Sequence, residues 1–86
     1  MNTIIKFWAN GCGNCKAMTP IIDAVKADFP NISFKDVNTA DADDLVEKYE
    51  VTSLPTLVYL KDDKFVGRLV GLKPKSLVVK KIAEVF

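Results

Sequence analysis

Phe7-Trp8-Ala9-Asn10-Gly11-Cys12-Gly13-Asn14-Cys15-Lys16 carries the only two cysteines of the chain, three residues apart. Upstream, Ile4 to Trp8 is an apolar run broken only by Lys6. Such a run suits an inner strand buried on both faces. Downstream, Met18, Ile21, Ile22, Val25 and Phe29 recur at helical spacing. They predict a helix from about Cys12 to Phe29 with one apolar face, stopped by Pro30. Pro20 lies inside this pattern and predicts a kink or loose first two turns. The cysteines therefore fall where a strand hands over to a helix. Two thiols at that spacing, in that place, point to thiol–disulfide exchange.

The chemistry follows from the position. A thiolate, not a thiol, attacks a disulfide, and a free cysteine is mostly protonated at neutral pH. Unpaired N–H groups and the macrodipole at a helix N-terminus favour the anion. Cys12 sits at that terminus and is expected to ionise more readily than free cysteine. Cys15 is one turn further in on the same side and is expected to be less exposed. Cys12 would attack a substrate disulfide, and Cys15 would then attack Cys12 and release the reduced substrate. A zinc site is the first competing reading, but the chain has no His and no third Cys, so no metal is expected. A structural staple is the second, but so short a ring constrains the unfolded chain little. Inert core thiols are the third, and Gly11, Gly13 and Asn14 describe an exposed turn instead.

Working outward, Ile32 to Val37 reads as a second strand. Thr39 is a plausible N-cap for a short helix, and Asp41, Asp43 and Asp44 suit its positive end. Leu45, Val46 and Tyr49 would face inward from it. Pro55 opens a third strand, Thr56 to Leu60. Lys61-Asp62-Asp63-Lys64 reads as a turn, and Phe65 to Val70 as the return strand of an antiparallel hairpin. Pro74 fits the first turn of a last helix, with Leu77, Val78, Ile82, Val85 and Phe86 as its apolar positions. The order β-α-β-α-β-β-α predicts an α/β domain spanning residues 1–86, a four-stranded mixed sheet with helices on both faces.

With 86 residues, about half of them apolar, the chain is long enough for one small core. The formal charge of +1 is spread unevenly: +2 over 1–35, −5 over 36–50 and +4 over 51–86. Solvated faces are the simplest account of this pattern. Basic residues form no stripe interleaved with aromatics, so nucleic-acid binding is not expected. No apolar run is long enough to span a bilayer. Met1-Asn2-Thr3 leads straight into a strand-like run without a signal-peptide pattern. A cytoplasmic protein is therefore expected, and there a cysteine pair is more often catalytic than structural.

Phe7-Trp8-Ala9, Cys12-Gly13-Asn14-Cys15-Lys16, Pro20 and Leu54-Pro55-Thr56 together resemble the thioredoxin family. Tyr49 with Val51, and Gly71 after the return strand, match its landmarks too. The resemblance covers nearly the whole chain and implies a minimal thioredoxin fold, without the first strand and first helix of ordinary thioredoxins. It implies Cys12 as nucleophile and Cys15 as resolving thiol. It implies Pro55 as a cis-proline facing the cysteines, which leaves the backbone of Leu54 free to pair with an extended substrate. Trp8 would pack beneath the site, or be plain core. Gly71 would let the substrate chain approach, or be a simple turn glycine.

Three departures stand out. Gly11 replaces the Trp usual before the first cysteine, which opens the rim. Asn14 replaces the usual Pro between the cysteines and leaves the helix start less rigid. Lys6 stands where thioredoxins usually bury an Asp. It either snorkels from a strand edge to water, or lies part-buried beneath the site. In the second case it would favour thiolate formation or act as a base when neutral, with Asp36 on the next strand as counter-charge.

The implied function is reduction of protein disulfides, without a cofactor, by a protein recharged by a thioredoxin reductase or a small thiol; nothing in the sequence argues against a monomer, which is expected. A glutathione-linked, glutaredoxin-like enzyme is the alternative. It lacks support from an aromatic residue between the cysteines or a double glycine near Gly71. A redox-gated binding module, docking a partner through Gly11, Leu54 and Gly71 without turnover, is a third reading.

Overall fold

The apolar run around Lys6 forms β1 (Asn2–Trp8), whose residues 3–7 are all buried. The computed structural model describes residues 1–86. After β1 come α1 (Gly13–Asp28), β2 (Ser33–Asn38), a single 3₁₀ turn (Thr39–Asp41) and α2 (Asp43–Lys48). β3 (Thr56–Lys61), β4 (Lys64–Val70) and α3 (Lys75–Val85) complete the chain. The sheet order is β2-β1-β3-β4, with β1 parallel to β2 and antiparallel to β3, and β3 antiparallel to β4. This is the expected mixed sheet and element order. Strand limits differ from the sequence reading by one or two residues.

Alternation along the inner strands divides the core in two. Ile4, Leu57 and Tyr59 pack with Met18, Ile22 and Val25 of α1 and Val78 and Ile82 of α3. On the opposite face Ile5, Phe7, Val58 and Leu60 pack with Tyr49, flanked by Leu45 and Val46 of α2. Helices thus cover both faces. The two-residue turn between β3 and β4 has positive φ at both Asp62 (51°) and Asp63 (66°), the backbone a tight hairpin needs and one that Asp tolerates.

Three local expectations are corrected. Thr39 is not a helix cap: Asn38 Oδ1 accepts from Ala40 N at 3.0 Å and caps the 3₁₀ turn, while Ala42 flanks α2 without a side-chain cap. The short Asn amide reaches a backbone N–H two residues on, which favours a turn over immediate helix. α1 continues through Pro20 as one helix, so the proline does not interrupt it. Pro74 is the residue before α3, not part of its first turn. Leu77 points outward and is 41% exposed, because Val78 and Ile82 alone form the buried seam of that helix.

Candidate active site

The ends of four elements meet at one end of the sheet. Phe7, near the carboxyl end of β1, pairs with Thr56, the first residue of β3, and Thr56 pairs with Val70, the last of β4. The loop after β1 leads into the amino end of α1. Register alone therefore brings Gly11, the cysteines, Leu54-Pro55 and Gly71 to the same end of the molecule.

Cys12 and Cys15 are joined as a disulfide, with Cα atoms 5.3 Å apart. Cys12 is the N-cap of α1, and its Sγ accepts the Cys15 N–H at 3.2 Å. The first turn holds no acidic residue. A sulfur anion there is the one negative charge available to the helix dipole and the unpaired N–H groups. Gly11 is exposed, Cys12 half-buried and Cys15 only 3% exposed. The outer sulfur can be reached by a partner and the inner one is shielded. Gly11 has φ +81°, a left-handed conformation that glycine adopts freely.

Leu54–Pro55 is a cis peptide bond. Pro55 O accepts the Gly71 N–H at 2.8 Å, which ties the two loops together. Thr56 Oγ1 donates to Ser53 O at 2.6 Å and closes the turn before them. Leu54 lies outside every strand and takes part in no turn or loop backbone hydrogen bond. Its N–H and carbonyl have no backbone partner within the chain.

Behind the disulfide is a cavity of about 400 Å³, lined by Lys6, Trp8, Gly11, Cys12, Cys15, Lys16, Thr19 and Asp36 among others. Of the residues picked out in the sequence, this cavity gathers Lys6, Gly11, Cys12, Cys15 and Asp36. Leu54, Pro55 and Gly71 are not part of its lining and form the separate rim just described. Trp8 is half-buried in its wall.

Lys6 does not snorkel from a strand edge. β1 is an interior strand and Lys6 is 6% exposed. Its Nζ donates to Thr19 Oγ1 at 2.8 Å, and that hydroxyl donates to the Cys15 carbonyl at 3.4 Å. Asp36 is the register partner of Lys6 on β2. It is exposed, however, and forms no ion pair with it, so the counter-charge assigned to it is corrected. The long lysine stem carries its nitrogen under α1, to the hydroxyl rather than sideways to the carboxylate. Thr19 was missed in the sequence. Its signal was its spacing, one turn beyond Cys15 on the same helix face.

The family model described as Thioredoxin matches residues 1–84. The thioredoxin of Chlamydia trachomatis is 40% identical over 81 residues, 94% of this chain and 79% of that protein. The thioredoxin of Mycoplasmoides gallisepticum is 33% identical over 73 residues, 85% of this chain and 73% of its own length. Among solved structures, oxidised mitochondrial thioredoxin 3 of Saccharomyces cerevisiae superposes with a TM-score of 0.90 at 29% identity. That match covers 96% of this chain and 77% of the yeast protein. Fasciola hepatica thioredoxin gives a TM-score of 0.90 at 28% identity, covering 99% and 81%.

Proposed function

The chain belongs to the thioredoxin family and is a thiol–disulfide oxidoreductase, and we propose that it reduces protein disulfides with Cys12 as nucleophile and Cys15 as resolving thiol. One observation carries the assignment of roles: the half-buried Cys12 sulfur caps α1 while Cys15 is shielded behind it. In the reduced protein the Cys12 thiolate attacks one sulfur of the substrate. That S–S bond breaks, a mixed disulfide forms and the other substrate sulfur leaves as a thiolate. Cys15, deprotonated, then attacks Cys12, and the second substrate sulfur leaves. Substrate has lost its disulfide, and the Cys12–Cys15 bond holds the two electrons' worth of oxidation.

An extended substrate segment would lie along Leu54, whose backbone is unpaired, between Gly11 and Gly71. Main-chain pairing there would make recognition tolerant of sequence. A reductase or a small thiol restores the dithiol. The 86 residues work as one domain and as a monomer in the cytoplasm. No helix is long and apolar enough to cross a membrane.

Insulin reduction by dithiothreitol tests the reading. The protein is expected to accelerate precipitation of the insulin chains, and Cys12→Ser to abolish the acceleration. Loss of acceleration in both proteins, with dithiothreitol and with an NADPH-coupled reductase alike, would favour a binding module. Turnover with glutathione alone would favour the glutaredoxin-like alternative.

A further inference from the structure

Lys6 is a cation whose bonded partner is neutral. Its side chain is nearly all enclosed, and its nitrogen donates to the Thr19 hydroxyl and to no carboxylate. Around it, α1 contributes Lys16 and Cys15, its cap contributes Cys12, β2 contributes the exposed Asp36, and β3 places apolar Leu57 opposite it. With the disulfide closed, both sulfurs are uncharged. A cation withdrawn from water with no carboxylate in ion-pair contact is costly. An anion formed on the cavity wall nearer than the exposed Asp36 lowers the cost.

We infer that Lys6 supplies the counter-charge for the thiolate formed at Cys15 when the disulfide is reduced, and so shifts the pair toward its reduced form. The inference rests on the exchange reaction proposed above. Reduction breaks the Cys12–Cys15 bond, and two electrons arrive from a dithiol that itself becomes a disulfide. Two protons are taken up if both sulfurs end as thiols, one if either remains an anion and none if both do. Lys6 lowers the uptake by the proton Cys15 would otherwise bind, since an adjacent opposite charge stabilises the ionised form. It shares the cavity wall with Cys15 and is tied to that residue's backbone. Thr19, which accepts from Lys6, donates to the carbonyl of Cys15, so helix, hydroxyl and ammonium are fixed in one arrangement. Lys6 is in this sense a positioning and charge-supplying residue. The same thiolate performs the release step, which links the potential to the rate of product release.

Three variants separate charge from packing. Lys6→Gln keeps a donor for Thr19 without the charge, Lys6→Met keeps the stem alone, and Lys6→Arg keeps the charge. The dithiol–disulfide equilibrium is measured against dithiothreitol, and the thiolate absorbance of Cys15 is followed with pH in a Cys12→Ser background of each protein. Lys6→Gln and Lys6→Met are expected to move the equilibrium about tenfold toward the disulfide, about 30 mV. They are also expected to move the thiolate titration to higher pH, while Lys6→Arg stays at wild-type values. Unchanged equilibrium and titration in Lys6→Gln would overturn the inference. So would an Lys6→Arg protein that shifts as far as Lys6→Met, because the effect would then be packing. The titration reads the sulfurs directly, so a wild-type protein inactive on insulin would defeat the exchange reading without deciding this one.

Discussion

Tyr59 is the largest side chain shut off from solvent, and its hydroxyl donates to Val78 O at 3.2 Å. Burial disfavours the phenolate and raises its pKa well above the ordinary value. The sign follows by linkage. In the unfolded chain the phenol releases its proton from about pH 10, while in the folded chain it keeps it. The stability this provides is full below that pH and is lost as the pH rises toward the folded group's higher value. Tyr59→Phe should therefore cost about 1 kcal/mol at neutral pH, from the lost hydrogen bond. It should also show a shallower loss of stability above about pH 10. Urea unfolding of both proteins across that range checks this, and parallel curves would refute it. Sequence revealed Tyr59 only as a strand residue. Its hydroxyl partner lies nineteen positions away on α3, and no local pattern encodes such a pairing.

α1 and α3 use the same apolar periodicity with different outcomes. Met18 of α1 is fully buried against the sheet, whereas Leu77 of α3 is 41% exposed. Met18→Ala should cost about 3 kcal/mol, through lost burial and the cavity left behind. Leu77→Ala should stay within about 0.5 kcal/mol, as for surface changes generally. Denaturant midpoints of the two variants decide it, and equal costs would contradict the packing described. The periods of β1 and α1 were legible because several residues repeat one signal, and the cysteine turn between them was legible because its residue types are restrictive. Thr39 was misread because Asn38 beside it offers the same chemistry. A single cap is decided by which of two neighbouring side chains reaches an N–H first. Lys6 was ambiguous for a different reason: whether its strand is inner or outer depends on the order of all four strands, which is a tertiary fact.

The sheet leaves two outer strands, β2 and β4, with unpaired edges. Such edges invite pairing between molecules unless charges interrupt them. β2 carries Lys35 and Asp36, both exposed, at its middle. Two copies joining β2 to β2 about a two-fold axis normal to the sheet would, in either central register, set Lys35 against Lys35 or Asp36 against Asp36. Like charges directly opposite are unfavourable. The wild-type chain should therefore sediment as a monomer, and Lys35→Thr with Asp36→Thr together should increase self-association. A double variant that sediments like the wild type would remove that role from the two charges. The alignment of strand ends has a practical corollary. Met1 and the Asp62–Asp63 turn lie together at one pole, where Asp62 N donates to Met1 O at 2.9 Å, while the sulfurs occupy the other. A bead, tether or fused module attached at that far pole would present the reactive end outward, oriented by the chain's own topology.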